Sequence, residues 1–151
     1  MVIKLFQKLI FSDPKNFIRN CVTLIYSSWF IYIGIMHFTD PSWFEPIVPK
    51  ILGNPKFWVF LSGFFEILLG LILIPRYTRT VASIFFIFFL VLVYWANVYM
   101  WIYNIPIGGE LLSNTEHVFR GLIQILLILI VIWIGQPYRK IFSSGLNQFN
   151  K

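Results

Sequence analysis

Cysteine and charge are both scarce in this sequence of 151 residues. The one cysteine, Cys21, has no partner for an internal disulfide, and no spacing of Cys and His matches a zinc, haem-attachment or dithiol motif. We therefore expect no metal site, and any redox chemistry needs a bound cofactor. Charged residues make up only 12% of the chain and hydrophobic residues 58%, a balance that is typical of a membrane protein and not of a soluble domain.

Acidic residues are the scarcer charge, with six Asp and Glu against twelve Lys and Arg, for a formal net charge of +6. Basic proteins often bind nucleic acid. Here, however, the basic residues flank long apolar stretches and do not cluster with aromatic residues on a polar segment. We expect no nucleic-acid partner, and we interpret the basic residues as signals of membrane orientation.

Four apolar stretches are long enough to cross a bilayer, which takes about 20 residues. Asn54-Pro55 and the capping-box pattern Ser113-Asn114-Thr115-Glu116 are helix-starting signals, and Pro75 and Gly135 follow or close two of the stretches. Such caps favour helices over strands. The sequence predicts an all-α transmembrane four-helix bundle, a single membrane domain over 1–151, with spans at about 17–37, 55–74, 80–103 and 114–134.

Two shorter segments are predicted to lie at the membrane surface. Residues 1–12 combine Lys4 and Lys8 with apolar residues, and the missing small-residue cleavage site favours a retained interfacial helix over the alternative, a cleaved leader. The loop after the first span contains Asp40-Pro41, a helix-starting pair, followed by Trp43 and Phe44. We expect a short interfacial helix there, covering the outer end of the bundle.

Most basic residues fall on one side of the predicted membrane. The opposite loops hold only Lys50 and Lys56, and Arg120 lies within the fourth span. By the positive-inside rule, both termini of this multi-pass protein are predicted to be cytoplasmic. The nine basic residues on that side are Lys4, Lys8, Lys15, Arg19, Arg76, Arg79, Arg139, Lys140 and Lys151.

Polar side chains inside the predicted spans are the candidate functional residues, because a charge near the bilayer centre costs about 2.5–3.5 kcal/mol. Glu66 lies roughly 18 Å from the outer end of the second span, near mid-membrane. The spacing of His117, Arg120 and Gln124 places them on one helix face. Their depths predict a polar pocket in the outer half of the bundle. The candidate ligand-binding residues are His37, Glu66, Tyr94, Asn97, His117, Arg120 and Gln124.

Each of these residues also has a purely structural interpretation. Arg120 can extend to the membrane surface, and Glu66 can pair with another polar group to fix helix packing. His37 can be an interfacial residue, His117 can help to cap its helix, and Asn97 can bridge two helices. The functional interpretation depends on the shared depth and face of the group and not on any one member.

Five short blocks of the sequence, taken together, resemble a known protein family. They are Gly34-Ile35-Met36-His37-Phe38; Pro41, Phe44 and Ile47-Val48-Pro49; Ser62-Gly63-Phe64-Phe65-Glu66-Ile67 with Gly70 and Pro75-Arg76; Ala96-Asn97-Val98-Tyr99-Met100; and His117-Val118-Phe119-Arg120-Gly121-Leu122-Ile123-Gln124. Over about residues 22 to 134, these blocks resemble the DoxX-like family of small four-span bacterial membrane proteins. The sequence departs from the family pattern at Gly121 and Ile123, where we expect Leu-Pro-Leu around the arginine block.

The resemblance to the DoxX-like family implies a four-helix fold and a place in the bacterial inner membrane. It also implies a link to membrane oxidoreductase systems, which include a thiosulfate:quinone oxidoreductase subunit. It carries no established reaction, so the resemblance leaves open whether the chain is an enzyme.

Three functional hypotheses follow. In the first, the chain is a subunit or accessory of a membrane redox system that binds a quinone-like or other apolar small molecule, with Glu66 as the candidate proton carrier and other membrane proteins or a soluble redox protein as partners. In the second, it is a non-catalytic assembly or scaffold protein with a structural polar core. The third, proton-coupled export by a dimer, is less favoured because the inner half is almost wholly apolar. A lipid-directed acid/base isomerase and a homo-oligomer also stay open.

Overall fold

The computed structural model describes residues 17–136, which form four long helices and no β-strand. Each helix is long and apolar enough to cross a membrane, so the predicted all-α four-helix membrane fold is confirmed. The helix ends lie within two residues of the predicted spans, and the interfacial helix predicted at residues 1–12 lies outside the described residues. The helices are α1 (Phe17–Thr39), α2 (Pro55–Leu73), α3 (Arg79–Ile102) and α4 (Asn114–Gly135).

The outer ends of α2 and α4 are fixed by side-chain caps. Asn54 Oδ1 accepts a hydrogen bond from the backbone N–H of Phe57 at 3.4 Å, and Pro55 occupies the first turn. At α4, Ser113 and Glu116 form the predicted capping box: the Glu116 carboxylate accepts from the Ser113 backbone N–H at 2.7 Å. These caps set the depth of every polar residue that follows along the two helices. We call the end of the bundle with these caps the outer end and the opposite end the inner end.

The outer loop between α1 and α2 is helical, but it forms three 3₁₀ turns and not one continuous helix. The turns are Pro41–Trp43, Glu45–Ile47 and Lys50–Leu52. Pro46 and Pro49 lack the amide hydrogen that a continuous helix needs, which accounts for the breaks. The loop contacts α1, α2 and α3 and buries Phe44, so it covers the outer end of these helices as predicted.

The helices pack most closely as two pairs, α1 with α2 and α3 with α4. In the first pair, Gly34 and Gly63 face each other across the interface. A Cβ atom on Gly63 would lie 2.6 Å from His37 Cβ and 2.9 Å from the Gly34 carbonyl oxygen, so only glycine fits there. Small residues of this kind let membrane helices approach backbone to backbone.

An aromatic core in the inner half joins the two pairs. Phe86 of α3 contacts Tyr26 and Phe30 of α1, with ring centroids 5.4 and 4.7 Å apart. The Tyr26 hydroxyl also donates a hydrogen bond to the Leu127 carbonyl oxygen of α4 at 3.1 Å. Residues from three helices therefore meet at one point and join the two pairs.

Candidate functional site

The structure places the predicted polar residues in two clusters, one in each helix pair. Among residues 17–136, no hydrogen bond or ion pair joins one cluster to the other. The single funnel expected from helix depth is therefore divided between the pairs. The α1–α2 cluster contains His37 and Glu66, and the α3–α4 cluster contains Tyr94, Asn97, His117, Arg120 and Gln124.

The α1–α2 cluster is buried beneath the outer loop. His37 Nδ1 lies 2.8 Å from the Ile33 carbonyl oxygen and 3.4 Å from Glu66 Oε2. Because a carbonyl oxygen can only accept, Nδ1 carries the hydrogen and donates it to Ile33. Phe44 of the outer loop stacks on the imidazole at 3.9 Å between ring centroids. His37 is thus a buried contact between two helices and a loop, and not an interfacial residue.

Glu66 is held between the backbones of α1 and α2. A Cβ atom on Gly34 would lie 3.1 Å from Glu66 Cβ, which shows how closely α1 approaches the carboxylate-bearing helix. Glu66 Oε2 is buried and has no hydrogen-bond partner in the described part of the chain. The carboxylate therefore lies in tight packing, and its nearest ionisable neighbour is the imidazole of His37.

The α3–α4 cluster ties its two helices together through long polar side chains. Arg120 Nη2 donates a hydrogen bond to Asn97 Oδ1. One turn deeper, Gln124 Nε2 donates to the Leu90 carbonyl oxygen at 2.6 Å. Arg120 is therefore engaged with α3 within the membrane and does not only extend toward the surface, and Asn97 bridges two helices as its structural interpretation predicted.

His117 lies flat against Trp101 at the outer end of the α3–α4 pair. The two rings are nearly parallel, 8° apart, with centroids 5.4 Å apart. Trp101 is fixed in turn because its Nε1 donates to Asn114 Oδ1 at 3.0 Å. Since Ser113 and Glu116 provide the cap of α4, His117 is free of that role and presents its ring to the space between α3 and α4.

A groove of about 370 Å³ lies between α3 and α4 beside this cluster. Tyr94, His117 and Gln124 supply its polar groups, and aliphatic side chains at positions 91, 118, 122, 125 and 128 form the rest of the wall with Trp101 and Gly121. Val118, Leu122 and Ile125 are half exposed on the outside of the bundle. Because these helices cross a membrane, the groove opens sideways to lipid.

Gly121 and Trp101 are residues of the groove that sequence reasoning did not name as site residues. A Cβ atom on Gly121 would lie 2.8 Å from the Tyr94 hydroxyl oxygen, so the missing side chain keeps this part of the groove open. The sequence nevertheless contained a signal for each of these two residues. Gly121 was the departure from the DoxX-like pattern, and Trp101 follows Tyr94 and Asn97 at the same helical spacing that relates His117, Arg120 and Gln124.

Three of the seven predicted ligand-binding residues line the groove, namely Tyr94, His117 and Gln124. Asn97 and Arg120 bond to each other in the same helix pair, and His37 and Glu66 lie in the other pair. Within residues 17–136, no group of three or more His, Cys, Asp or Glu side chains is placed to hold a metal ion. The arrangement can bind an apolar molecule that has a polar head, and ligand binding itself stays a prediction.

The chain matches a protein-family model over most of its length. The family model described as "Domain of unknown function (DUF8561)" matches residues 26–135, a region that includes both clusters, the outer loop and the groove. No curated protein and no solved structure matches the chain.

Proposed function

This chain belongs to the DUF8561 family, and we propose that it binds a quinone-like or other apolar small molecule in the α3–α4 groove, as a subunit or accessory of a membrane redox system. The observation that carries the proposal is the groove itself. It is mainly apolar, opens to lipid, and has three polar side chains in its lining. Its volume of about 370 Å³ is within the range of small-molecule sites, roughly 300–1,000 Å³.

The polar groups of the groove suit the head of a quinone, which has a flat ring with carbonyl acceptors. The Tyr94 hydroxyl can donate to such an acceptor. Gln124 has a second amide hydrogen beyond the one used by Leu90, and the His117 ring, stacked on Trp101, lines the outer part of the groove. Aliphatic side chains of α4 line the groove on both sides of Gln124, and together with Val91 of α3 they suit an apolar tail. Hydrogen-bond donors and apolar surface, contributed by both α3 and α4, therefore lie in the same groove.

We assign ligand contact to α3 and α4 and not to Glu66, which does not line the groove. A role for Glu66 as proton carrier would require a path from the α1–α2 cluster to the ligand, and no hydrogen bond among the described residues links the two. What this chain's residues contribute to the proposed function is thus binding and orientation of the ligand.

The redox part of the proposal is supported by the five sequence blocks that resemble the DoxX-like family. The same resemblance supports a place in the bacterial inner membrane, with other membrane proteins or a soluble redox protein as partners. Cytoplasmic termini are supported by charge: Arg19, Arg76 and Arg79 lie at the inner end, and Lys50 and Lys56 at the outer end.

Binding of decylubiquinone to the full chain in lipid nanodiscs tests the proposal, with quenching of tryptophan fluorescence as the readout because Trp101 lines the groove. Gly121→Leu fills the groove and is expected to weaken binding about tenfold, the equivalent of about 1.4 kcal/mol. Ile123→Phe is the matched control, since it adds bulk to the same helix at a lipid-exposed position outside the groove. Unsaturable quenching in the wild type, or equal binding by both variants, would refute the proposal.

A second candidate function is a non-catalytic assembly protein, and the internal bonding of the polar side chains favours it. Arg120 bonds to Asn97 and Gln124 to Leu90, and both bonds join α4 to α3 and so fix the packing of these helices. If the chain is an assembly protein, the wild type should show no saturable decylubiquinone binding. Gln124→Leu should then lower the free energy of unfolding without changing ligand binding. Size-exclusion chromatography of the wild type in detergent would then show an assembly.

A further inference from the structure

A second cavity, of about 190 Å³, lies at the inner end of the bundle. Arg19, Arg76 and Arg79 line it together with Thr80 and Gly135. It is at the opposite end from the α3–α4 groove, and the proposed function does not use it. Three guanidinium groups around one small cavity are unusual in a chain with only 12% charged residues, and they point to a ligand of opposite charge.

No carboxylate of the described residues lies near this cavity. Five of the six acidic residues are described, and none of the five lines it. Glu66 lies mid-membrane in contact with His37. The other four, Asp40, Glu45, Glu110 and Glu116, lie in the outer loops or the first turn of α4. Within 17–136, the acidic residues therefore lie near mid-membrane or at the outer end, whereas Arg19, Arg76 and Arg79 lie at the inner end.

Arg79 forms a fixed wall of the cavity. It is 3% exposed, and its Nη1 donates to Asn20 Oδ1 at 2.7 Å. Its Nε and Nη2 donate to the Ile74 carbonyl oxygen at 3.2 and 2.9 Å. These bonds use three of the five N–H groups of a guanidinium, which leaves two for a ligand. The charge is thus held in place before any ligand binds.

The start of α3 and the end of α4 meet at the rim of the cavity. The helix α3 begins at Arg79, and the Thr78 side chain does not cap it. Uncapped amide hydrogens at a helix start carry a partial positive charge. Thr80 Oγ1 donates to the Gly135 carbonyl oxygen at 3.0 Å, which ties the end of α4 to the start of α3 at the rim of the cavity.

We propose that this inner-end cavity binds a phosphate group, supplied in the membrane by the head group of an anionic phospholipid. Guanidinium groups match the geometry of phosphate oxygens and bind them with paired hydrogen bonds. The cavity lies at the ends of membrane-spanning helices, which is where phospholipid head groups lie. Basic pockets between helices at the cytoplasmic side are typical sites for such lipids.

Lipid binding by the full chain in neutral detergent tests this proposal, measured by native mass spectrometry with dioleoyl-phosphatidylglycerol and dioleoyl-phosphatidylcholine. We expect the wild type to prefer the anionic lipid. Arg76→Gln, at an exposed position, should weaken phosphatidylglycerol binding about fivefold, the effect of about 1 kcal/mol per basic residue. Lys50→Gln removes one exposed charge at the outer end and should leave binding unchanged.

A second variant and a competition with inorganic phosphate complete the test. Arg76→Lys retains the charge but not the planar fork, and it should bind more weakly than the wild type and more tightly than Arg76→Gln. If inorganic phosphate displaces the lipid only at high concentration, the lipid is the source of the phosphate group. If inorganic phosphate binds more tightly than the lipid, the source is a soluble phosphate compound. Equal binding of both lipids by the wild type, or equal loss in Arg76→Gln and Lys50→Gln, would overturn the proposal.

Discussion

The two helix pairs use polar side chains in opposite ways. In α1–α2, Gly34 and Gly63 bring the backbones together, and His37 and Glu66 are packed into the contact. In α3–α4, the longer Arg120 and Gln124 side chains span the distance between the helices, and a groove remains beside them. A polar residue inside a membrane span is therefore not by itself evidence of a ligand site. The distance between the backbones decides whether it is enclosed or accessible.

Both helix pairs share one inner core, and a substitution that removes part of this core should have the largest effect on stability. Phe86→Ala removes the ring that contacts Tyr26 and Phe30 across the pairs, so we expect a loss of about 3 kcal/mol in the free energy of unfolding. Unfolding in mixed micelles with increasing SDS, followed by circular dichroism, measures it. Phe88→Ala is the control, because Phe88 is 65% exposed to lipid on the same helix. Equal losses would show that Phe86 does not join the pairs.

The difference in backbone distance is tested by one substitution in each pair. Gly63→Ala should cost about 2 kcal/mol, because its Cβ meets the Gly34 backbone and His37 Cβ, which cannot move aside. Gly121→Ala should cost less than about 1 kcal/mol, since its Cβ meets only the end of the flexible Tyr94 side chain. The same SDS titration compares them. Similar costs would remove the distinction between a closed and an open pair.

The separation of the two polar clusters is tested by double-mutant cycles. Asn97→Ala and Arg120→Ala remove a direct hydrogen bond, so their coupling energy should be about 1 kcal/mol. Asn97 and Glu66 lie in clusters that share no hydrogen bond. The effects of Asn97→Ala and Glu66→Ala on the free energy of unfolding should therefore add to within about 0.5 kcal/mol. A strong coupling between Glu66 and Asn97 would restore the single polar funnel.

The smallest effect is expected at the hydrogen bond between α1 and α4. Tyr26→Phe keeps the ring in the core and removes only the bond to the Leu127 carbonyl oxygen, so we expect a loss of about 0.6 kcal/mol. Tyr32→Phe is a suitable control, since Tyr32 is exposed on the same helix. A loss comparable to that of Phe86→Ala would mean that this bond, and not aromatic packing, joins the pairs.

The helices could be predicted from the sequence because their signals are local. Apolar length, the Asn54 cap and the Ser113–Glu116 capping box lie within a few residues of the ends that they define. The breaks in the outer loop were also encoded, since Pro46 and Pro49 exclude a continuous helix. Local signals of this kind do not depend on how the helices are arranged.

The site was only partly predictable, because depth along a helix does not determine which helix lies opposite. Asn97 and Arg120 were expected at the same depth, and they do bond to each other. Glu66 was expected at the base of the same pocket, yet it packs against α1 at Gly34 and Gly63; small residues beside Glu66 favour a close approach of two helices but do not determine which helix approaches. The groove depends on an absent side chain at Gly121, which a search for polar residues passes over.

Photoaffinity labelling tests the central claim, that the α3–α4 groove is the binding site. The full chain in lipid nanodiscs is labelled with an azido-quinone, and the modified peptides are identified by mass spectrometry. The account predicts labels within 91–101 of α3 or 117–128 of α4, and their loss when decylubiquinone is added in excess. Labels confined to α1 and α2, or labels that decylubiquinone does not compete away, would contradict it.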